Sequence, residues 1–151
     1  MEYTYSFRIY PNEEQILLIA KTFGCCRFIY NYFLDYSNSN GYSSKYTNNN
    51  ICNRELKTEY PWLKEVDHCS LMTTIFNLDD TFKSMIKEGK YPNYKSKYNK
   101  ESYTINNELK TWGNTKYYSV RLNLKDRIVI LPRLKSVTIR GYKRLSSING
   151  K

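Results

Sequence analysis

The chain has 151 residues and a formal net charge of +10, from 24 Lys and Arg against 14 Asp and Glu. A chain of this length can bury one ordinary hydrophobic core or two small ones. It contains no run of about 18 apolar residues and no basic and apolar leader at its start, so we expect a cytoplasmic protein that is neither membrane-bound nor secreted.

The positive charge is concentrated in the second part of the chain. Residues 1–92 contain 10 Lys and Arg against 11 Asp and Glu, whereas residues 93–151 contain 14 against 3. Clustered cations favour a polyanion such as nucleic acid, because phosphate contacts release bound counterions. A basic surface that is only solvated remains the alternative from charge alone.

The first two elements are predicted to be a strand and a long helix. Apolar and polar residues alternate from Tyr3 to Tyr10, as in a strand with one buried face. Asn12 can cap the helix, with Gln15 three residues later in a capping-box arrangement. The predicted buried stripe of this helix is Ile16, Ile19, Ala20, Phe23, Cys26, Tyr30, Phe33 and Leu34.

The adjacent Cys25 and Cys26 raise the question of a metal or nucleophile site. Zinc sites usually present cysteines in pairs a few residues apart, and the single histidine, His68, directly precedes Cys69. Cys26 also falls on the predicted buried stripe, where a thiol behaves as a small hydrophobe. The sequence therefore predicts packing cysteines, with no metal site, no catalytic residue and no cofactor.

Two further helices are predicted after a polar connector at residues 35–50. A short helix is expected at residues 47–60, and Asp67 can cap a third helix that Gly89 can end. The predicted apolar stripe of the third helix is Leu71, Ile75, Leu78, Phe82 and Ile86. The neighbouring Asp79 and Asp80 diverge around the helix, so they cannot hold metal ions together and are expected on a solvated face.

The segment after Gly89 interleaves tyrosines with lysines. Flat rings that stack on bases, beside cations that contact phosphates, are typical of proteins that bind single-stranded nucleic acid, RNA in particular. A disordered basic linker is the alternative. The predicted stacking residues are Tyr91, Tyr94 and Tyr98, and the interleaved cations are Lys90, Lys95, Lys97 and Lys100.

The remaining chain is predicted to form strands at residues 118–124, 127–131 and 136–140. A single strand at the start of the chain is not stable alone, so we expect it to pair with these later strands. The predicted fold class is α+β, a β-barrel or sheet with an inserted three-helix bundle.

Six motifs, in this order, resemble the N-terminal part of the TnpB/OrfB family of transposon-encoded, RNA-guided DNA nucleases. They are FRIYPNEEQ at residues 7–15, KTFGCCRFIYNYFL at 21–34, EYPWLKEVD at 59–67, NLDDTFK at 77–83, YPNYKSK at 91–97 and ILPRL at 130–134. The resemblance implies an oligonucleotide-binding-like wedge barrel, incomplete in this chain, at residues 1–10 and 99–151. It also implies a helical recognition domain, described in the family as a helix-turn-helix, at 11–90 and a basic linker at 91–98.

The resemblance further implies a guide RNA and a double-stranded DNA target as partners. The family's nuclease domain, with its metal-binding carboxylates and zinc ribbon, is expected after residue 151 or in a separate chain. We therefore expect no enzymatic activity from residues 1–151 alone.

Site residues follow from the resemblance and from the charge pattern. The residues expected to read DNA beside the target are Tyr46, Asn50, His68, Met72 and Thr104. Met72 stands where many relatives have glutamine, and it cannot make the bidentate amide contact that reads adenine. The predicted phosphate-binding residues are Arg8, Arg27, Lys95, Lys97, Lys100, Arg121, Arg133 and Arg140. For Arg27, a structural ion pair with an acid such as Asp35 or Asp67 is an equal alternative.

Two other functions remain open at this point. The first is a stand-alone helix-turn-helix regulator of DNA, although the connector looks longer than the turn of about three or four residues that the motif requires. The second is a transposon relic without a selected function.

Overall fold

The computed structural model describes the backbone of residues 3–147 and the side chains of residues 3–141. The chain forms two compact units. The sheet unit comprises Met1–Leu17 and Asn107–Lys151, and the helical unit comprises Leu18–Asn106. The domain boundaries expected at residues 10, 90 and 98 stay a prediction, and the end of the expected barrel range lies outside the described residues.

Within the described residues, the main sheet of the sheet unit has four antiparallel strands in the order β1-β6-β5-β4. It curls into half of a barrel, which confirms the predicted α+β class. The strands are β1 (Tyr3–Tyr10), β4 (Arg121–Asn123), β5 (Ile128–Leu131) and β6 (Lys135–Ser147). A separate hairpin consists of β2 (Leu109–Trp112) and β3 (Thr115–Tyr118).

The pairing of β1 with β6 joins the two ends of the sequence. Tyr3 lies opposite Ser147 and Tyr10 lies opposite Thr138. This confirms the expectation that the first strand pairs with the late strands, since a lone strand cannot satisfy its backbone polar groups. Val137 and Ile139 of β6 are buried, so the centre of this sheet is also its apolar core.

The strand predicted at residues 118–124 is interrupted. β3 ends at Tyr118 and β4 begins at Arg121. Between them, the Ser119 N–H donates to the Glu108 carbonyl oxygen at 2.8 Å, which extends the β2–β3 register by one residue. Strand β2 was not predicted from the sequence. Gly113, with φ of +58°, turns the chain from β2 into β3.

The first helix begins as predicted. The Asn12 N–H donates to Gln15 Oε1, and the Gln15 N–H donates to Asn12 Oδ1, both at 2.9 Å. The Gln15 side-chain amide also donates to the carbonyl oxygens of Leu134 and Ser136, at 2.9 and 2.7 Å. This glutamine therefore completes the capping box and attaches the start of the helix to the chain around the beginning of β6.

The helices of the described residues are α1 (Glu13–Asn40), α2 (Lys45–Ile51), α3 (Lys57–Glu59) and α4 (His68–Glu88). A π-helical turn (Cys52–Leu56) joins α2 to α3, and a 3-10 turn (Pro61–Glu65) precedes α4. The predicted ends of α4 are confirmed. Asp67 accepts a hydrogen bond from the Cys69 N–H at 3.1 Å, and Gly89 ends the helix with φ of +70°.

The polar connector predicted at residues 35–50 is mostly helical. α1 continues to Asn40, and only residues 41–44 separate it from α2. Gly41, with φ of +84°, turns the chain, and the Ser44 hydroxyl caps α2 by accepting from the Thr47 N–H at 3.3 Å. The prediction was wrong because it relied on the low helix propensity of Ser and Asn. Tertiary packing of other residues, rather than this propensity, stabilises a helix of this length.

The core of the helical unit lies where α1, α4 and the segment between α2 and α4 meet. Ile29, Phe33, Leu63 and Ile75 are among its fully buried side chains. Cys25 and Cys26 belong to the same cluster, in agreement with a packing role for both. Ile29 is not among the predicted stripe residues, although it lies within the predicted stripe region of α1.

Three residues predicted to be in the core are exposed: Ile16, Ala20 and Ile86. The buried residues of α1 begin at Thr22, and those of α4 end at Phe82. The apolar stripes on the two helices are therefore longer than the region in which other elements cover them.

Two isoleucines test this description of the core. Ile29 is 0% exposed and Ile86 is 83% exposed. Ile29→Ala should lower the free energy of unfolding by about 2–5 kcal/mol, because it removes buried methyl groups and leaves a cavity. Ile86→Ala should change it by less than about 0.5 kcal/mol. Urea denaturation of both variants measures the difference, and equal losses would contradict this core.

Candidate nucleic-acid interface

The segment that follows α4 lies along one face of α1. Residues 91–103, which we call the strap, run antiparallel to this helix. The contacts are Tyr91 with Asn38, Tyr94 with Asp35, Lys95 with Asn31, Glu101 with Arg27, and Tyr103 with Phe23. Because the α1 partners are three or four residues apart, they form a single stripe on the helix surface.

The side chain of Asn31 fixes the middle of the strap. Its amide group donates to the Lys95 carbonyl oxygen, and its own carbonyl oxygen accepts from the Lys95 N–H, both at 2.8 Å. One side chain thus satisfies both backbone polar groups of one strap residue. The strap is therefore attached to α1, which distinguishes it from the disordered linker that its composition also allowed.

Tyr91 and Tyr94, two of the predicted stacking residues, are oriented by their hydroxyl groups. Tyr91 donates to Asn38 and Tyr94 donates to Asp35, while both rings remain about half exposed. The ring of Tyr91 also packs edge-on against Phe82, with 6.3 Å between the ring centres. Each ring consequently has a set direction and a limited free surface.

The third stacking residue, Tyr98, lies at the tip of a tight turn. Asn99 Oδ1 accepts from the Ser96 N–H and hydroxyl at 2.9 and 2.8 Å, which closes the turn. Tyr98 is 86% exposed, and Lys97 Nζ lies 5.2 Å from the centre of its ring. The tip therefore presents an open aromatic face and an ammonium group, which suit the base and phosphate of one nucleotide.

A cleft of about 90 Å³ opens beside the strap within the helical unit. Arg27, Lys95 and Lys100, three of the predicted phosphate-binding residues, line it together with Thr104. Lys95 Nζ lies 4.6 Å from the centre of the Tyr30 ring, which holds its charge at the cleft. The fold thus gathers cations that are far apart in sequence.

Arg27 forms an ion pair with an acid, although not with either of the two that were named as examples. The distance from Arg27 Nη1 to Glu101 Oε1 is 2.8 Å, and both side chains are partly exposed. Asp35 accepts a hydrogen bond from Tyr94, and Asp67 caps α4. These two carboxylates have other structural roles, so the structural pair of Arg27 with an acid is formed with Glu101 instead.

The remaining predicted phosphate-binding residues lie in the sheet unit. Arg8 and Arg140 are opposite each other on β1 and β6, and their guanidinium carbons lie 5.4 and 5.3 Å from the centre of the Tyr10 ring. Arg121 on β4 and Arg133 in the turn after β5 are exposed separately from this pair. The sheet arginines therefore comprise one close pair and two single positions.

A second surface of the helical unit, which we call the α2–α4 face, carries Tyr46 and Asn50 on α2 and His68 and Met72 on α4. Each pair is four residues apart, so its members share one side of their helix. The ring of Tyr46 contacts that of Phe76, one turn beyond Met72, with 6.0 Å between ring centres. Thr104 is the exception among the predicted DNA-reading residues, because it lines the cleft beside the strap.

Lys45 is a part of the α2–α4 face that the sequence analysis missed. Its Nζ lies 5.4 Å from the centre of the Tyr46 ring and 4.8 Å from that of Phe76. In the sequence, the available signal was the position of Lys45 immediately before Tyr46. What holds its ammonium group, however, is the pair of rings that α2 and α4 bring together, and this pair exists only in the folded chain. Asn31 and Glu101 were missed for the same reason, since their roles depend on the strap.

Asp67, His68 and Cys69 are, within the described residues, a group of three potential metal ligands whose ligand atoms lie within 4.8 Å of one another. The carboxylate of Asp67 already serves as the N-cap of α4, and the Cys69 side chain is buried. The three side chains therefore lie close together because they are at the start of α4.

The four cysteines are buried. Burial raises the pKa of the Cys25 thiol to about 11, and it also raises the pKa of Cys26 and Cys52. A thiol with a raised pKa carries little thiolate near neutral pH, and the thiolate is the nucleophile and the metal ligand. The cysteine pair in α1 therefore carries little of the reactive thiolate form.

Asp79 departs from its predicted solvated position, whereas Asp80 is exposed as expected. Asp79 is 3% exposed, accepts a hydrogen bond from the Tyr42 hydroxyl, and lies 3.0 Å from Lys83 Nζ. Burial acts to raise the pKa of Asp79, and the bonds from Tyr42 and Lys83 outweigh it, so the pKa is lowered. This carboxylate has a structural role.

The attachment of the strap can be tested at Asn31. Asn31→Ala removes two hydrogen bonds and should increase trypsin cleavage after Lys95, Lys97 and Lys100 by roughly 5- to 150-fold, because the strap opens more often. Asn40→Ala is the matched control, since the Asn40 amide donates only to the Tyr36 carbonyl of its own helix. Equal cleavage rates in the two variants would contradict the attachment.

Comparison with known proteins finds two similarities. The model of the OrfB/IS605 helix-turn-helix domain matches residues 1–45. A curated protein of Streptomyces pristinaespiralis, named "Putative RNA-guided DNA endonuclease", is 30% identical over 118 residues, which cover 73% of this chain and 29% of that protein. The chain thus spans less than a third of the length of this relative.

None of the helices in the described part of the chain is long and apolar enough to cross a membrane.

The comparisons confirm the resemblance that the six motifs predict. Both matches support an N-terminal fragment of the TnpB/OrfB type.

Proposed function

We propose that this chain is the nucleic-acid-binding N-terminal part of a TnpB/OrfB-type RNA-guided DNA nuclease. In this proposal, the strap and the sheet arginines bind the guide RNA, and the α2–α4 face contacts double-stranded DNA beside the target. The family match and the relative's name support the general role. The residue assignments rest on the resemblance to the family and on the geometry described above.

The strap is the observation that carries the RNA part of the proposal. It places Lys95 and Lys100 at one cleft and presents Lys97 with the open ring of Tyr98 at the adjoining turn. Stacking of a base on an aromatic ring contributes about 1–3 kcal/mol, and neighbouring cations add salt-dependent phosphate contacts. Because α1 holds the strap before RNA binds, little ordering is required on association.

The paired sheet arginines support a second phosphate contact. Like charges directly opposite each other on a sheet are destabilising, yet Arg8 and Arg140 are opposite and share the ring of Tyr10. A phosphate group would neutralise both charges through charge-assisted hydrogen bonds. We therefore assign this pair to the RNA backbone.

The α2–α4 face supports the DNA part of the proposal. Asn50 is exposed on this face and supplies an amide that can read adenine in the major groove. Met72, half-buried on α4, can offer only apolar contact. Cleavage, in this proposal, belongs to carboxylates supplied outside the described residues, in the same protein or in a separate chain.

A stand-alone DNA-binding regulator is a second candidate because of one observation. The turn between α1 and α2 consists of residues 41–44 and contains Gly41 at φ of +84°. A short turn with glycine suits a helix-turn-helix better than the long connector that the sequence suggested. Sequence-specific binding to duplex DNA without any RNA would favour this candidate over the first.

Two lysine pairs test the role of the strap in RNA binding. The double variant Lys97→Ala, Lys100→Ala should reduce the slope of log affinity against log salt concentration by about 1.4 for labelled oligouridine, since each lost phosphate contact contributes about 0.7. The control variant Lys64→Ala, Lys87→Ala has the same net charge and should keep the wild-type slope. Fluorescence anisotropy at several salt concentrations provides the measurement.

An equal fall in slope for both double variants would show that RNA responds to overall charge and not to the strap. An unchanged slope for the strap variant would likewise contradict the proposal.

A further inference from the structure

The helical segment formed by α2 and the π-helical turn after it has an unusual periodicity. Its buried residues Asn48, Cys52 and Leu56 are 4%, 1% and 1% exposed, and they follow one another at intervals of four. In a regular α-helix, each step of four residues rotates the side chain by roughly 40°, because 3.6 residues make one turn. A stripe with intervals of four would therefore drift away from the core.

The π-helical turn at Cys52–Leu56 removes this drift over the interval from Cys52 to Leu56, whereas the interval from Asn48 to Cys52 is regular α-helix. Hydrogen bonds in the π-helical turn join residues five apart, so the turn is wider and residues four apart stay nearly aligned. On the opposite side of the helix, the interval from Asn50 to Arg54 extends into this turn, whereas the interval from Tyr46 to Asn50 is regular α-helix. There, Tyr46, Asn50 and Arg54 are all exposed and form one row.

Arg54 adds a positive charge to this row, and this charge is available to a ligand. Among the described residues, neither an ion pair nor a side-chain hydrogen bond engages its guanidinium group. Its backbone carbonyl accepts from the Thr58 hydroxyl at 3.1 Å, which is a contact within the helix. By contrast, the nearby Lys57 already donates to Asn53 at 2.8 Å.

We propose that Arg54 reads a guanine in the DNA that flanks the target, as a third residue in the row of Tyr46 and Asn50. The inference rests on the function proposed for the α2–α4 face. Arginine recognises guanine O6 and N7 through two parallel hydrogen bonds. Four helical residues span roughly 6 Å, so Arg54 reaches a base pair about two steps from the one that Asn50 contacts when the row lies along the groove.

The test uses the full chain and a pool of duplex DNA randomised over a short window. Bound sequences are selected and counted for the wild type and for the variants Arg54→Ala, Arg54→Lys and Asn50→Ala. Lys64→Ala, which removes an exposed charge elsewhere in the helical unit, is the control. Thermal melting confirms that each variant folds, which is expected because Arg54 is exposed.

Both Arg54 variants should lower the preference for guanine at one position by roughly 5- to 150-fold, whereas Asn50→Ala should relax a different position. Arg54→Lys should retain most of the overall affinity, because it keeps the charge and loses only the fork geometry. Loss of affinity that is uniform across sequences, or no change in preference, would overturn the assignment of Arg54. Selection of no sequence by the wild type would instead overturn the DNA-reading role of the whole α2–α4 face.

Discussion

The attachment of the strap to one face of α1 is the interaction on which the proposed interface depends. The side chain of Asn31 binds both backbone polar groups of Lys95, and further contacts on either side continue along the same stripe of the helix. Without this attachment, the segment would be a flexible basic chain whose ordering would oppose RNA binding. With it, the cleft and the exposed turn have a defined geometry before a ligand arrives.

The ion pair between Arg27 and Glu101 adds an electrostatic feature to the cleft. A phosphate that binds Arg27 must compete with a carboxylate already in contact with it. Both partners are partly exposed, and pairs of this kind contribute only about 0–1 kcal/mol. The exchange of carboxylate for phosphate therefore costs little, and Lys95 and Lys100 in the same cleft favour the incoming anion.

Local signals in the sequence predicted much of the fold. The alternation of β1, the capping box of Asn12 and Gln15, and the ends of α4 were confirmed because each depends on residues near one another in the chain. The pairing of β1 with the late strands followed from the instability of a lone strand. The limits of the core were not predictable, since Ile16 and Ile86 continue an apolar pattern beyond the region that other elements cover. For the site, composition indicated the cations and rings of the strap. The role of Asn31 was not predictable because it depends on tertiary contacts, and the alignment of Arg54 was not predictable because it depends on a π-helical turn.

Hydrogen exchange at the Lys95 amide, in protein free of nucleic acid, tests the central claim most directly. The account predicts that this amide is protected relative to an unstructured peptide, because its N–H donates to Asn31 in the absence of any ligand. Exchange at the rate of an unstructured peptide would show that the strap is not held on α1, and the preformed interface would then be wrong.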